Sequence, residues 1–264
     1  MLESERERLG SPDRFGYSWS IFRQVLPGHR EQFLRWTSAL PREAWRSARF
    51  LDAGCGIGRN SHWAMTEGAA GGLAIDIDER SLDAARENLA RHPAIEIRHQ
   101  SIYEISEENA FDIAFSIGVL HHLEDPEAAT ARLVRAIKPG GHVLIWVYGC
   151  ENMTWFTRLF DPLRKRFLSR MPLKLVYHLS LYATVLLWFA LRLGLSRIEY
   201  YRLLRTFSFA HLRAIVFDQM IPRIAHYWPR EKAEQLLHGA GLDNVTLVHV
   251  NEMSWSAAGR KPPM

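Results

Sequence analysis

The chain has 264 residues and a formal net charge of +4, which suits one large domain or one domain with a substantial insertion. With 47% hydrophobic and 23% charged residues, its composition is that of a globular protein that can bury a core. The two cysteines, Cys55 and Cys150, exclude a disulfide framework, and the charged first ten residues lack the apolar segment of a secretory signal. We therefore expect a cytoplasmic protein.

The charge is distributed unevenly along the chain. Residues 151–213 contain eleven Lys and Arg against three acidic residues, whereas the remainder carries a net charge of −4. A basic block within an otherwise acidic protein indicates either an acidic partner or a solvated helical surface.

Residues 1–47 are predicted to form helix and loop, with helical spacing in 30–40. From residue 48 onwards, apolar segments typical of buried strands alternate with segments typical of helices. The predicted strands are 49–54, 72–78, 94–101, 111–118 and 142–149, and the predicted helices are 59–68, 79–92 and 126–138. This alternation favours a mostly parallel sheet that is covered by helices on both faces.

The alternation stops over residues 151–228 and resumes with a predicted helix at 230–241. Two strands, 244–252 and 254–261, follow closely enough to form an antiparallel hairpin at the edge of the sheet. We therefore predict an α/β fold in which residues 48–264 form a doubly wound, Rossmann-like, seven-stranded and mostly parallel sheet. A helical cap, 151–228, is inserted after the fifth strand.

Three glycines follow the first predicted strand, in the segment FLDAGCGIGRN (50–60). A glycine-rich turn between a strand and a helix lets a ligand approach the backbone, beside the N–H groups at the helix N-terminus. Asp76 ends the second strand, where an acid accepts hydrogen bonds from both ribose hydroxyls of an adenosine. The sequence therefore predicts a ligand that carries a ribose.

Asp52 helps to distinguish between two ribose-containing ligands. It lies two residues before the first glycine, and beside this loop its charge would repel the pyrophosphate of NAD. The spacing of Gly54, Gly56 and Gly58 also differs from the G-x-G-x-x-G pattern of NAD-binding proteins. S-adenosylmethionine has an ammonium group and no phosphate, so the negative charge of Asp52 favours S-adenosylmethionine over NAD.

Four segments resemble the successive motifs of the class I S-adenosylmethionine-dependent methyltransferases. They are LDAGCGIGRN, AIDID, FDIAFSIGVLHHLEDP and LVRAIKPGGHVLIWVYG. The resemblance covers about residues 48–149 together with the C-terminal helix and hairpin. Within this superfamily the chain is most similar to the small-molecule branch that includes quinone-biosynthesis methyltransferases.

The resemblance implies a site for S-adenosylmethionine and assigns residues to it. These are Asp52, Gly54 and Gly56 around the methionine moiety, Asp76 at the ribose, Ile77 against the adenine, Gln100 and Ser101 at the adenine amino group, Ser116 and Ile117 on the methionine side, and Cys55 as a further cofactor contact. Family members usually have Asp where this chain has Gln100 and Ser101, and either residue can make a neutral hydrogen bond.

Two adjacent histidines, His121 and His122, follow the fourth strand, near the position expected for the methyl group. Methyl transfer is an in-line displacement that sometimes requires removal of a proton, and histidine acts as a general base near neutral pH. They are the candidate catalytic residues, and the alternative is a structural role. No cysteine pair or histidine cluster predicts a metal site.

The aromatic segment DRFGYSWSIF (13–22) precedes the core. In related enzymes an N-terminal segment often folds over the cofactor, so residues 1–47 are predicted to form a helical lid. Tyr17 and Trp19 are candidate substrate contacts, and the alternative is a helix packed at the sheet edge. Tyr148, at the end of the fifth strand, is a third candidate substrate contact.

Substrate recognition is expected in the insertion, where family members often carry it. Its segment 175–195 is apolar almost all round, apart from a narrow polar seam at helical spacing. Basic residues flank this segment within 164–205, which is typical of an interfacial element on anionic lipid. Three interpretations remain open: a cap over a hydrophobic substrate pocket, a membrane-docking helix, and a homodimer interface.

Two further features bear on the acceptor. The segment 217–232, which includes Asp218, either returns to the pocket or forms a polar connector.

Nucleic acid is not expected as a partner, because the long apolar segment interrupts the basic block.

The sequence therefore predicts an enzyme that transfers a methyl group from S-adenosylmethionine to a small, hydrophobic or lipid-like acceptor, in the cytoplasm or at a membrane surface. Two alternatives are a non-catalytic S-adenosylmethionine-binding or membrane-associated interaction protein, and an RNA methyltransferase. The sequence does not distinguish among oxygen, nitrogen and carbon as the acceptor atom.

Overall fold

A computed structural model describes residues 11–154, 156–194 and 197–263. Its centre is a seven-stranded sheet with the strand order β3-β2-β1-β4-β5-β7-β6. The strands are β1 (Arg49–Ala53), β2 (Gly71–Asp76), β3 (Ile95–His99), β4 (Phe111–Ile117), β5 (Ile137–Tyr148), β6 (Asp243–Val250) and β7 (Ser254–Arg260). The first five strands are parallel, and β7 runs antiparallel to both β5 and β6. The predicted fold class and the C-terminal hairpin are confirmed.

The α-helices of the described residues precede β1, connect the strands or belong to the insertion. They are α1 (Pro12–Ile21), α2 (Gly28–Trp36), α3 (Arg59–Thr66), α4 (Glu79–Asn88), α5 (Pro126–Ala136), α6 (Asp161–Arg166), α7 (Leu173–Arg192), α8 (Glu199–Leu204), α9 (Phe209–Met220) and α10 (Arg230–Gly239). N-cap residues fix where two of these helices begin. The Asp78 side chain accepts hydrogen bonds from two N–H groups of the first turn of α4, and Asp125 does the same for one N–H group of α5.

Alternate residues of the central strands pack into two separate cores. Phe50 of β1 faces a cluster that includes Phe33 of α2 and Leu82 of α4. Leu51, its neighbour, faces the opposite cluster, which includes Leu133 of α5 and Leu237 of α10. Because β1 is covered on both faces, its residues after Arg49 are all buried, and its apolar sequence reflects this.

The fifth strand begins earlier than the sequence predicts. The expected strand, 142–149, is extended back to Ile137, and the helix predicted to reach residue 138 ends at Ala136. Ile137 pairs with Phe111, and the register then shifts before His142 pairs with Ile113. The two glycines within this irregularity allow the ladder to continue across it.

The insertion is helical, and it is tied to α1 by buried hydrogen bonds. Its core includes Val176 of α7 and Phe217 of α9. Arg14 of α1 donates from Nε to the carbonyl oxygen of Ile221 at 2.7 Å and from Nη2 to that of Leu168 at 3.0 Å. The N-terminal helix and the insertion therefore form a joint cover above the sheet.

Candidate functional site

One cavity of about 530 Å³ lies at the carboxyl ends of the parallel strands. Its floor is the loop between β1 and α3, together with the ends of β2 and β4. Its cover comes from α1 and from α7, α8 and α9 of the insertion. In a doubly wound sheet, ligands bind at this edge, so the cavity is the candidate functional site.

The glycine loop lies against other elements too closely for side chains. Gly54 has a φ of +82°, and a Cβ there would lie 2.4 Å from a methyl carbon of Val119. Gly56 has a φ of +54°, and a Cβ there would lie 3.3 Å from the indole nitrogen of Trp19. The left-handed backbone favours glycine at both positions, and at Gly54 the space beside the backbone is also filled.

Asp76 is held rigidly at the wall of this cavity. One carboxylate oxygen accepts a hydrogen bond from the Gly56 N–H at 2.8 Å, and the other accepts one from the Asp78 N–H at 3.0 Å. Burial raises the pKa of Asp76, while these backbone hydrogen bonds oppose that rise. Each oxygen keeps a second lone pair, so the carboxylate can also accept hydrogen bonds from a pair of hydroxyls.

Asp52, two residues before Gly54, does not line the cavity. Its Oδ2 accepts a hydrogen bond from the Ser61 hydroxyl at 2.7 Å, whereas its Oδ1 has no partner in the described part of the chain. The side chain is completely buried, and burial raises the pKa of Asp52 to about 7. The structure therefore places the Asp52 carboxylate against Ser61 of α3, outside the cavity lining.

Most of the other predicted cofactor residues line the cavity. They are Gly54, Cys55, Gly56, Ile77, Gln100, Ser101 and Ile117. Gln100 donates its amide N–H to the carbonyl oxygen of Glu104, and its carbonyl oxygen accepts from Arg98. Ser116 is fully buried outside the cavity lining, and its hydroxyl donates to the carbonyl oxygen of Ala53 at 2.9 Å.

The two candidate catalytic histidines differ in position. His121 is fully buried, does not line the cavity, and has no hydrogen-bond partner for either ring nitrogen among the described residues. His122 lines the cavity, but its Nδ1 is 2.7 Å from the carbonyl oxygen of Ile224. Burial lowers the pKa of His121 far below its usual range and that of His122 to about 3. Both rings are neutral at physiological pH, and their basicity is low.

Helix α1 contributes to the cavity lining one of its two aromatic residues that are predicted as substrate contacts. Trp19 lines the cavity above Gly56, whereas Tyr17 lies outside the lining and packs against Phe217 at 6.2 Å between ring centroids. Residues 1–10, the first part of the predicted lid, lie outside the described residues. Helix α1 lies so close to the Asp78 carboxylate at Gly16 that any Cβ at this position would overlap it.

Arg59 is a cavity residue that sequence reasoning missed. It is the first residue of α3, and its guanidinium carbon lies 5.1 Å from the ring centroids of both Trp19 and Trp36. It forms no ion pair among the described residues, and burial lowers its pKa while the charge of Asp218 opposes this. Its position directly after the glycine loop was the signal that could have identified it.

The insertion adds a second polar group opposite the glycine loop. Asp218 of α9 lines the cavity and accepts a hydrogen bond from the Ser18 hydroxyl at 2.5 Å. Burial raises the pKa of Asp218 to about 6, and the hydrogen bond from Ser18 and the charge of Arg59 oppose this rise. The segment that contains Asp218 thus returns to the pocket. Tyr148 also lines the cavity, and its hydroxyl accepts from the Gln219 amide at 2.7 Å.

Metal-ligating side chains do not converge at this site. Within residues 11–154, 156–194 and 197–263, no group of three His, Cys, Asp or Glu side chains is placed to hold a metal ion.

Sequence comparison relates the centre of the chain to known enzymes. Residues 51–145 match the family model of a methyltransferase domain. The chain is 30% identical to a ubiquinone biosynthesis O-methyltransferase of Aromatoleum aromaticum over 58% of this chain and 65% of that protein. It is 33% identical to phosphoethanolamine N-methyltransferase 2 of Caenorhabditis elegans over 38% of this chain and 23% of that protein. The chain therefore spans between about a quarter and two thirds of the length of these relatives.

Comparison with solved structures supports the fold. The 1,6-didemethyltoxoflavin-N1-methyltransferase of Burkholderia thailandensis superposes with a TM-score of 0.56 at 16% identity, covering 99% of this chain and 91% of that one. That structure contains 1,6-didemethyltoxoflavin and S-adenosylhomocysteine. Together the comparisons confirm the predicted resemblance to the class I S-adenosylmethionine-dependent methyltransferases.

Proposed function

We propose that this chain, whose core is a class I S-adenosylmethionine-dependent methyltransferase domain, transfers a methyl group from S-adenosylmethionine to a small apolar acceptor. The observation that carries the proposal is the continuity of the cavity. A single space joins the glycine loop and Asp76 to aromatic and aliphatic side chains of the inserted helices. Cofactor and acceptor can therefore meet in one enclosure.

The residues at the sheet edge fit the chemistry of S-adenosylmethionine. The free lone pairs of Asp76 suit the two ribose hydroxyls, and Ile77 offers an apolar surface to the adenine. Arg59 supplies a positive charge at the glycine loop, where it would bind the carboxylate of the methionine moiety. The left-handed glycines allow that moiety to approach the backbone.

When bound, S-adenosylmethionine supplies a methyl group on a positively charged sulfur. The protein has to align the acceptor with that methyl and exclude competing water. Trp19, Trp146 and Tyr148 line the cavity with large rings, which favours a flat or apolar acceptor. Helix α1, which packs against the start of α4 and is hydrogen-bonded to the insertion, acts as the lid of the cavity.

Asp218 is the group best placed to take a proton from the acceptor. It lines the cavity, and it is ionised above about pH 6 because burial raises its pKa only to that value. A general base is most effective when its pKa lies near the working pH. His122 shares the cavity, but its pKa of about 3 makes it a much weaker base. We assign the proton-accepting role to Asp218 in place of the histidines.

The proposal is tested by a methyl-transfer screen with S-adenosylmethionine labelled in the methyl group. Acceptors are grouped by chemistry into apolar phenols and hydroquinones, apolar amines, and a short RNA. We expect labelled product from an apolar acceptor, with formation of S-adenosylhomocysteine in equal amount. Labelling of RNA alone would contradict the acceptor class. S-adenosylmethionine binding with no turnover of any acceptor would favour a non-catalytic binding protein.

A further inference from the structure

Helix α7 carries apolar side chains on its outer face. Five exposed residues occur at spacings of three, four and seven and form one stripe, which we call the outer stripe: Leu175, Tyr182, Leu186, Phe189 and Leu193. Leu186 is 73% exposed and Leu193 is 87% exposed. Large apolar side chains that are exposed in a contiguous row indicate a surface that binds another apolar surface.

The inner face of α7 is also largely apolar, with Val176 and Leu191 buried there, so this helix has apolar residues on both faces and lacks the polar outer face of a usual surface helix. Ser180 and Thr184 are fully buried. The Ser180 hydroxyl donates to the carbonyl oxygen of Tyr177 at 2.7 Å, and the Thr184 hydroxyl donates to that of Ser180 at 2.6 Å. Because the helix satisfies its own inner hydroxyls, it can turn its apolar residues outward without leaving buried polar groups unpaired.

A second exposed apolar row precedes α7 in the insertion. Leu159, Leu163 and Phe167 are 72%, 50% and 54% exposed, and they are spaced four residues apart along consecutive helical turns. The apolar surface of the insertion therefore extends beyond one helix.

The exposed charges around these rows are positive. The exposed basic residues of this region are Arg158, Lys165, Arg166, Arg170, Lys174, Arg192, Arg197, Arg202 and Arg205. Between residues 156 and 210 the described part of the chain has two acids. Asp161 is buried and forms ion pairs with Arg164 and Lys165, and Glu199 forms an ion pair with Arg35. Apolar rows bordered by cations match the interface of an anionic bilayer, where acyl chains lie below negative headgroups.

We propose that the outer stripe docks this protein on the surface of an anionic membrane, with α7 lying in the plane of the interface. Length and composition alone would allow Leu173–Arg192 to cross a bilayer. The inner face of α7, however, packs on α9 and contributes Ala183 and Leu187 to the cavity wall. A crossing helix would lose these contacts, whereas an interfacial helix keeps them.

A second copy of the chain is a less suitable occupant of the outer stripe. Docking two copies through this face would bring two sets of exposed cations together without exposed acids to balance them. An RNA strand would meet the cations but would gain nothing from five exposed apolar side chains. The combination of apolar and basic groups therefore favours the lipid surface.

Docking would also explain how an apolar acceptor reaches the cavity. This part of the inference rests on the proposed function. Leu187 lines the cavity, and its neighbour Leu186 belongs to the outer stripe. The wall of the cavity is thus one helix thick at the docked face. An acceptor dissolved in the membrane could enter beside α7 without crossing water.

The test is co-sedimentation of the intact chain with phosphatidylcholine vesicles that contain or lack phosphatidylglycerol. We expect binding to the anionic vesicles, weaker binding to the neutral ones, and loss of binding in high salt. Leu186→Glu should weaken binding about tenfold or more, because it places a charge at the membrane interface. Ala131→Glu, at an exposed position of α5, is the matched control and should leave binding unchanged.

The basic residues are tested separately. Arg166→Glu should weaken binding to anionic vesicles, whereas Arg91→Glu, at an exposed position away from the insertion, should have little effect. Equal binding by wild type and Leu186→Glu would overturn the proposal. So would a stable dimer that Leu186→Glu converts to monomer, or tight RNA binding that this substitution does not alter.

Vesicle binding is measured without cofactor or acceptor, so it does not depend on the enzymatic activity. If binding follows the expected pattern and no acceptor is methylated, the docking surface stands and the proposed function fails. If an apolar acceptor supplied in solution is methylated but the protein does not bind vesicles, the proposed function stands and the docking proposal fails.

Discussion

Two carboxylates face the cavity from opposite sides, and they are held in different ways. Asp76, on the sheet side, is fixed by two backbone N–H groups at 2.8 and 3.0 Å that belong to neighbouring turns. Asp218, on the insertion side, is held by one hydroxyl from Ser18, 200 residues away in the chain. The proposed cofactor side is therefore built from local backbone geometry, whereas the proposed acceptor side depends on packing between distant helices.

The two regions also differ in how their apolar residues are arranged. In the sheet, alternate residues of β1 enter two closed cores, and no large apolar side chain of that strand is exposed. In α7, the large apolar residues of the outer stripe face outward. The strand buries its apolar residues within the protein, whereas α7 is apolar on its exposed face as well as its inner face. This difference distinguishes the sheet from the surface that we propose docks on a membrane.

The largest expected effect is a loss of stability at the glycine loop. Gly54→Ala should lower the free energy of unfolding by about 2 to 4 kcal/mol, because the new Cβ overlaps Val119 at a left-handed φ. Gly241→Ala is the matched control, with a similar φ of +84° and no atom within 4 Å. It should cost only about 1 kcal/mol of backbone strain. Equal losses in chemical denaturation would show that the loop is not closely packed.

Asp52→Asn should stabilise the protein at neutral and alkaline pH. Burial raises the pKa of Asp52 from 3.8 to about 7, so between these values the folded state binds the extra proton and wild-type stability falls as pH rises. Asparagine does not titrate and avoids this loss. The variant should be more stable by about 2 to 4 kcal/mol above pH 7 and nearly equal to wild type near pH 4.

Denaturation of both proteins over this pH range checks the prediction. A stability difference that stays constant from about pH 4 to 8 would contradict the raised pKa of Asp52.

Asp218→Asn tests the acceptor side. With the acceptor found by the screen, kcat should fall about a hundredfold or more, because the amide cannot accept the proton. In the wild type, kcat should decline as pH falls through about 6, where Asp218 becomes protonated, and the variant should lack this decline. Cofactor affinity should be unchanged, and Asp83→Asn, at an exposed site, is the control. A variant that keeps the wild-type rate would exclude Asp218 as the base.

Much of the sheet side could be predicted from sequence, because its signals are local. The predicted helix 59–68 ends at Thr66, and the predicted strand 72–78 corresponds to Gly71–Asp76. Asp76, Gly54 and Gly56 line the cavity. Asp52 and Ser116 were harder to place, because a motif gives a position in the chain but does not show which side of the strand end faces the ligand.

The insertion side was less predictable, because its contacts join distant segments. Periodicity revealed the polar seam of α7, but it could not show that Ser180 and Thr184 would face inward and the residues of the outer stripe outward. Similarly, the pairing of Ser18 with Asp218 depends on how α1 packs on α9. Neither feature leaves a pattern in the segment that contains it.

The central claim is that the glycine loop and Asp76 bind S-adenosylmethionine, and calorimetry tests it most directly. Wild type should bind S-adenosylhomocysteine and S-adenosylmethionine with micromolar affinity and should not bind NAD. Asp76→Ala should weaken binding about tenfold or more through lost hydrogen bonds to the ribose, while the exposed Asp83→Ala should match wild type. Absence of binding by both sulfur ligands, or equal affinity in Asp76→Ala, would contradict the account.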